Sequence, residues 1–322
     1  MRRSIALTVC GLIVLLFYSG FCGYDLAAGF TSDDAVYLLL ADIYSPYKTA
    51  NLPVYTLIRE QSLFPPLFPL LLGMLGAGSE SPALAAYIST GLLLLSIVIA
   101  GIWLWRESAR PATAVLITLL LCFLPGTLIL SQEIWSEFLF MVLTYGALLL
   151  GPRPRLQGSD WLAMAVLIAL ATLTRTVGVA LLPAFFLLLY RHRVRAGLLY
   201  AFISTAPFLL WYVAAELLRD NAGYTSVLGT ALPDYSLLTL LDLSTGKLLA
   251  MYQSLLWLFA SVDSGRVHYL FSCLVLLPLL ALAVKVWFVR ARRGQMDAVF
   301  IPVYLFIILI WPYGDLYYVS RF

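Results

Sequence analysis

Long apolar runs separated by short, arginine-rich turns constrain the fold of this 322-residue chain more than any other feature. A helix that crosses a bilayer needs roughly 20 predominantly apolar residues. Candidate segments recur from one end of the chain to the other, near residues 4–24, 82–105, 112–130, 134–150, 160–175, 177–190, 196–216, 267–289 and 298–313. The pattern predicts an all-α polytopic membrane protein with about nine transmembrane helices.

The composition supports a lipid environment. Apolar residues make up 62% of the chain and charged residues 11%, whereas soluble domains contain about 25% charged residues. A soluble chain with so few polar groups would be unable to cover its own surface, which excludes cytosolic enzymes and nucleic-acid-binding proteins. The four scattered cysteines predict neither a disulfide framework nor a zinc site. Arginine far outnumbers lysine, a bias that favours a GC-rich bacterial source.

The distribution of positive charge predicts how the spans are oriented, because Lys and Arg concentrate in the cytoplasmic segments of membrane proteins. With a cytoplasmic N-terminus, thirteen of the twenty basic residues fall in inner segments, together with only three acidic residues. Those thirteen are Arg2, Arg3, Arg106, Arg110, Arg153, Arg155, Arg191, Arg193, Arg195, Lys285, Arg290, Arg292 and Arg293. The sequence therefore predicts a multi-pass protein of the cytoplasmic (inner) membrane with long outer loops at about 25–81 and 217–266.

Two segments depart from a simple series of spans. Residues 160–190 hold two apolar runs in little space, so the two spans predicted there are short or tilted. The run from Leu63 to Ala77 contains three prolines and is too short to cross a bilayer comfortably. We expect it to form an interfacial or re-entrant helix on the outer face.

The first outer loop carries the pair Asp33 and Asp34. Thr31 or Ser32 can cap a helix whose first turn holds both carboxylates, where the helix dipole favours negative charge. In one interpretation the pair only caps a helix at the membrane surface. In the other, one aspartate is a general base for an acceptor hydroxyl and the other supports it.

Three further charged residues lie where substrate could bind. Glu137 follows Glu133 by four residues at the outer mouth of a span, so both carboxylates share one helical face, and they can bind a sugar or a divalent ion. Arg175 lies at the outer end of a span, where a lipid phosphate would be a suitable partner, and Arg321 has the same candidate role. The alternative is that the glutamates only start an interfacial helix and that the arginines only reach the interface.

The order of these motifs resembles the GT-C superfamily of membrane glycosyltransferases, which includes the protein O-mannosyltransferases and the lipid A aminoarabinose transferases. The resemblance covers essentially the whole chain. The segments that carry it are Asp33-Asp34-x-x-Tyr37, the proline-rich run 64–71, Trp135-Ser136-Glu137, Leu173-Thr174-Arg175-Thr176-Val177-Gly178 and the aromatic segment from Tyr313 to Arg321-Phe322.

The resemblance implies an inverting transfer from a polyprenyl-phosphate sugar to a glycan, lipid or protein acceptor of the cell envelope. It implies Asp33 as the base and Asp34 as its support, although either aspartate can be the base. Tyr37, Glu137, Arg175 and Arg321 are the implied substrate-binding residues. No cofactor or metal site is predicted, and the sequence leaves open whether a divalent ion takes part.

The resemblance also implies a single transmembrane domain over residues 1–322. Family members normally continue with further spans beyond the segment that matches 313–322. We therefore expect either a short member or a chain truncated at its C-terminus.

Two other functions are compatible with a polytopic membrane protein. A transporter or lipid flippase would carry charged residues near the middle of its spans, whereas the charges here lie mainly at span ends on the outer side. A non-catalytic membrane subunit would have no need to retain Asp33 together with Arg175.

Overall fold

The computed structural model describes residues 14, 16–18, 20, 32–48, 64–107, 111–124, 127–128, 131–151, 156–218, 237–259, 274–275 and 277–310. At some helical positions, among them Asp33, it describes the backbone and not the side chain. The secondary structure of these residues is helical, and no strand occurs among them. The predicted all-α class is therefore confirmed for the described part of the chain.

The described part of the chain contains eleven α-helices and one 3₁₀ helix. They are α1 (Ser32–Tyr44), α2 (Leu67–Met74), α3 (Pro82–Glu107), α4 (Pro111–Phe123), α5 (Ser136–Leu150), α6 (Gly158–Thr174), a 3₁₀ helix (Thr176–Ala180), α7 (Leu181–Arg191), α8 (Gly197–Leu218), α9 (Leu237–Phe259), α10 (Leu277–Arg292) and α11 (Met296–Ile310).

Two of these helices, α3 and α8, are long and apolar enough to cross a membrane. Shorter apolar helices are α4, α5, α6, the 3₁₀ helix continued by α7, and α11. Together with α10, these helices overlap the positions of eight predicted spans, some of them only in part. The first predicted span, 4–24, lies largely outside the described residues.

The exposed surfaces of α8 and α10 are strongly apolar. In α8, Phe202 and Leu210 expose 68% and 72% of their surface, and none of the residues of α10 is buried. Soluble monomers rarely expose contiguous apolar patches of more than a few hundred Å². Exposed apolar side chains of this kind are what a helix that faces lipid would carry.

The chain divides into two compact units. The first contains the described residues before residue 60 and those in Pro66–Tyr145, and the second contains Phe64, Pro65 and those from Gly146 onward. In the first unit α1 packs against α2 and α3 packs against α4, with Leu93, Ile97 and Phe138 in a common apolar cluster. In the second unit α6 packs against α8, and α11 packs against α7, α9 and α10.

Helix α9 was not predicted, because the sequence placed its residues in an outer loop. Its polar residues, among them Asp242, Ser244 and Lys247, interrupt the apolar pattern by which the other helices were recognised. In the structure Lys247 is buried, and its Nζ donates to the carbonyl oxygens of Ile308 and Leu309 at 3.1 and 3.3 Å. This lysine therefore joins α9 to the last turn of α11.

Candidate functional site

Helix α1 places the two predicted catalytic aspartates in its first turn. The helix begins at Ser32, as the capping pattern predicts, so Asp33 and Asp34 are its second and third residues. The carboxylate residue Asp34 is only 3% exposed, and the side chain of Asp33 lies outside the described atoms. The start of α1 therefore holds one buried acidic side chain.

Tyr37 connects α1 to the motif that opens α5. It lies one turn after Asp34, and its hydroxyl is 2.7 Å from the Oγ atom of Ser136. That serine hydroxyl donates in turn to Oε2 of Glu137 at 3.3 Å. The ring of Tyr37 also packs edge-on against Phe68 of α2, with the centroids 5.1 Å apart. Two motifs that are 99 residues apart in sequence thus meet through side chains.

The start of α5 is fixed by hydrogen bonds to α3. The backbone amide of Trp135 donates to Oγ of Ser89 at 3.0 Å, and Oγ1 of Thr90 donates to the carbonyl of Ser131 at 2.7 Å. Both α3 residues are buried. These two bonds fix the position of the segment that leads into the first turn of α5, where Glu137 lies.

The proline-rich run forms the short helix α2, which lies unusually close to α1. A Cβ atom at Gly73 would overlap the carbonyl oxygen of Ala41 and lie 3.0 Å from the amide nitrogen of Ser45. Ala41 is fully buried at this crossing. Glycine is therefore required at position 73 for α2 to support the helix that carries Asp34 and Tyr37.

A polar cluster at the end of α1, which the sequence did not reveal, attaches this helix to the turn before α3. The carboxylate of Asp42 accepts hydrogen bonds from Ser79, through its amide at 3.2 Å and its hydroxyl, and from Lys48 Nζ at 2.8 Å. The hydrogen bond to Asp42 is the main reason that the pKa of Lys48 is raised. Lys48 also contacts Glu80 at 3.3 Å. The cluster holds the C-terminal end of α1 as the Ser136 contact holds its beginning.

Arg175 lies at a sharp corner in the second unit. Helix α6 ends at Thr174, and Arg175 adopts an extended conformation with φ −146° and ψ 136° before the 3₁₀ helix begins. Its amide donates to the carbonyl of Ala171 at 3.0 Å, and its carbonyl accepts from the amide of Gly178 at 2.9 Å. Arg175 therefore lies in a corner whose backbone is hydrogen-bonded on both sides of the arginine.

We expect Gly178→Ala to destabilise this corner. A Cβ atom there would lie 2.8 Å from the carbonyl oxygen of Ala171 and 2.9 Å from the amide nitrogen of Thr172, and neither backbone atom can move without disturbing α6. Overpacking of this kind costs about 1–3 kcal/mol. Thermal unfolding of the detergent-purified protein should show a lower melting temperature. The matched control is Gly246→Ala in α9, where a Cβ atom meets nothing within 4 Å, and equal melting temperatures for the two variants would contradict the expectation.

The structure thus brings three of the predicted site residues, Asp34, Tyr37 and Glu137, into one unit. Arg175 belongs to the other unit, and Arg321 lies outside the described residues. In the part of the chain that is described, no three His, Cys, Asp or Glu side chains converge as a metal site would require. Comparison with protein-family models, curated proteins and solved structures finds no match to this chain.

Proposed function

We propose that the protein is a membrane glycosyltransferase that transfers a sugar from a polyprenyl-phosphate donor to an envelope acceptor at the outer face of the cytoplasmic membrane. The observation that carries the proposal is the Tyr37–Ser136–Glu137 contact one helical turn after the buried Asp34. It joins two motifs of the predicted substrate site that lie 99 residues apart in the sequence. A capping pair on an isolated surface helix would not need this contact.

The proposed chemistry is a single displacement with inversion at the anomeric carbon. Asp33 takes the proton from the acceptor hydroxyl, whose oxygen forms the new bond to the sugar. The bond between the anomeric carbon and the phosphate oxygen breaks, and polyprenyl phosphate leaves with the electron pair. Asp34 supports the base from its buried position in the same helical turn. General base catalysis of this kind contributes typically about 10²–10⁴-fold to a rate.

The donor phosphate needs positive charge where it departs, because preorganised cations stabilise charge that develops in the transition state. In the proposal Arg175 supplies that charge, with Arg321 as a second cation. The hydrogen bonds of the Arg175 backbone to Ala171 and Gly178 support this role, since they fix where the side chain begins. The donor already carries its leaving group, so no nucleotide or other cofactor is required.

The proposed topology has nine spans with a cytoplasmic N-terminus. Its support is the agreement between eight predicted spans and helices of the structure, together with the basic turns. The turn after α7 holds Arg193 and Arg195, and the turn after α10 holds Arg293. Under this topology both turns face the cytoplasm, and the start of α1 faces outward.

The direct test is transfer from a panel of synthetic polyprenyl-phosphate sugars in membranes that contain the overproduced protein. We expect one donor of the panel to label a membrane acceptor, with inverted configuration in the product. The double variant Asp33→Asn/Asp34→Asn should lack this transfer at equal protein level. If no donor gave more product with the native protein than with the double variant, the proposed function would be wrong.

A further inference from the structure

The second unit contains a cavity of about 230 Å³ where four helices have their ends. It lies between the C-terminal ends of α5, α7 and α10 and the N-terminal end of α11. Leu148, Leu188 and Met296, all buried, form its apolar wall. His192, Arg293 and other polar residues of the two basic turns form the rest. The cavity therefore combines an apolar wall with a polar mouth.

The polar mouth has an excess of positive charge. Arg290 and Asp297 also line it, but they neutralise each other through a two-point ion pair, in which Nη2 and Oδ1 are 3.1 Å apart and Nε contacts Oδ2. Both side chains of this pair are largely buried, so the pair fixes the turn between α10 and α11. Arg293 is exposed, and no described acidic side chain forms an ion pair with it. Its charge is left for a ligand.

A second arginine lies at the edge of the same turn. Gly294 has φ 68°, in the left-handed region that favours glycine, and a Cβ atom there would overlap the guanidinium group of Arg191. The guanidinium is therefore packed directly against the turn that carries Arg293. His192 follows Arg191, and its ring packs edge-on against Trp161 with the centroids 5.6 Å apart. His192 therefore lines the cavity, whereas Arg191 packs beside it against Gly294 without lining it.

Gln295 adds a hydrogen-bond acceptor to this site. It lines the cavity, and its Oε1 atom is buried without a hydrogen-bond partner in the described part of the protein. A buried acceptor without a partner costs free energy unless a donor reaches it. A ligand that has a hydroxyl group beside its negative charge would satisfy both Gln295 and Arg293.

We propose that this cavity binds a glycerol phosphate group, as carried by phosphatidylglycerol. The phosphate pairs with Arg293, a glycerol hydroxyl donates to Gln295, and the apolar wall receives the start of the acyl region. Arg191 does not line the cavity, and its guanidinium packs against Gly294 beside it. Basic pockets between helices on the cytoplasmic side of membrane proteins are known to take anionic headgroups. The same chemistry is offered by free glycerol phosphate, and the test distinguishes the two sources. The site rests on the proposed topology and does not depend on the proposed transferase activity.

The test measures binding of short-chain phosphatidylglycerol to the full-length protein in neutral detergent by native mass spectrometry. Phosphatidylcholine with the same chains and free glycerol phosphate are titrated in parallel. We expect Arg293→Gln to weaken phosphatidylglycerol binding about tenfold, the loss expected for one charge-assisted hydrogen bond. The matched control is Arg292→Gln, because Arg292 packs over Phe288 of its own helix and does not line the cavity.

Each outcome decides the proposal. A lipid site is identified if only phosphatidylglycerol binds and its binding is lost in Arg293→Gln but kept in Arg292→Gln. If free glycerol phosphate shows the same dependence on the two arginines, the soluble group is the ligand. Equal binding of phosphatidylcholine, equal loss in both arginine variants, or no binding overturns the proposal. Gln295→Glu places a negative charge beside the phosphate and gives an independent test should Arg293→Gln fail to fold, and unchanged binding in Gln295→Glu overturns the proposal as well.

Discussion

Replacement of Asp33 by asparagine is expected to lower the rate of sugar transfer by about 10²–10⁴-fold. The amide cannot accept the proton of the acceptor hydroxyl, yet it keeps the size of the carboxylate and its place in the first turn of α1. The loss should appear in kcat, with little change in KM for the donor, because the base acts on the reacting proton. Initial rates with the preferred donor, at matched protein levels, measure it.

Asp34→Asn provides the comparison that assigns the base. Asp34 is buried, and a supporting role predicts a smaller loss of rate accompanied by a lower melting temperature. If Asp33→Asn left the rate of transfer unchanged and Asp34→Asn abolished it, the protein would still be a glycosyltransferase, and Asp34 would be its base. Glu80→Gln serves as the matched carboxylate control, since the Glu80 side chain is 82% exposed, and it should leave the rate unchanged.

Gly73→Ala is expected to have a large effect on the stability of the first unit. The added Cβ would overlap the carbonyl oxygen of Ala41 and lie 3.1 Å from the carbonyl carbon of Tyr44. Both atoms belong to the backbone of α1, so the conflict can be relieved only by moving α1 away from α2. We expect a cost of about 3 kcal/mol, at the upper end for overpacking, and a melting temperature lower by several degrees.

Gly91→Ala is the control for the Gly73 variant. Gly91 lies within α3 of the same unit, and a Cβ atom there would meet nothing within 4 Å. Alanine is the better helix former by about 1 kcal/mol, so this variant should melt at or above the temperature of the native protein. A Gly73→Ala protein as stable as the Gly91→Ala protein would show that α1 and α2 do not pack as described.

The positions of most helices could be predicted because the sequence carries local signals at the points where helices begin and end. Pro82 and Pro111 stand first in α3 and α4, where proline costs nothing. Two short spans over 160–190 were predicted because a single span would place Arg153 and Arg191 on opposite sides of the membrane, and the structure ends α6 at Thr174. The helical start before Asp33 and Asp34 was predictable from a local signal, since capping and dipole effects act within one turn.

The contacts between helices were not predictable from the same signals. Apolar periodicity shows that a helix has a partner, but it does not say that Tyr37 meets Ser136 rather than another hydroxyl. The requirement for glycine at position 73 depends on where Ala41 lies in another helix. Helix α9 was missed because Lys247 looks like a surface residue until its acceptors, the carbonyls at the end of α11, are known.

The unequal lengths of neighbouring helices have a consequence for the membrane around the protein. Helix α3 has 26 residues and packs against α4, which has 13. At 1.5 Å per residue these correspond to about 39 and 20 Å, against a hydrocarbon core of about 30 Å. If both cross the bilayer as proposed, α3 tilts while the lipid beside α4 thins, a hydrophobic mismatch that costs fractions of a kcal/mol per Å. Bilayers of shorter acyl chains would relieve the thinning at α4 and increase the tilt of α3, so lipid chain length becomes a variable that acts on this pair of helices in opposite directions.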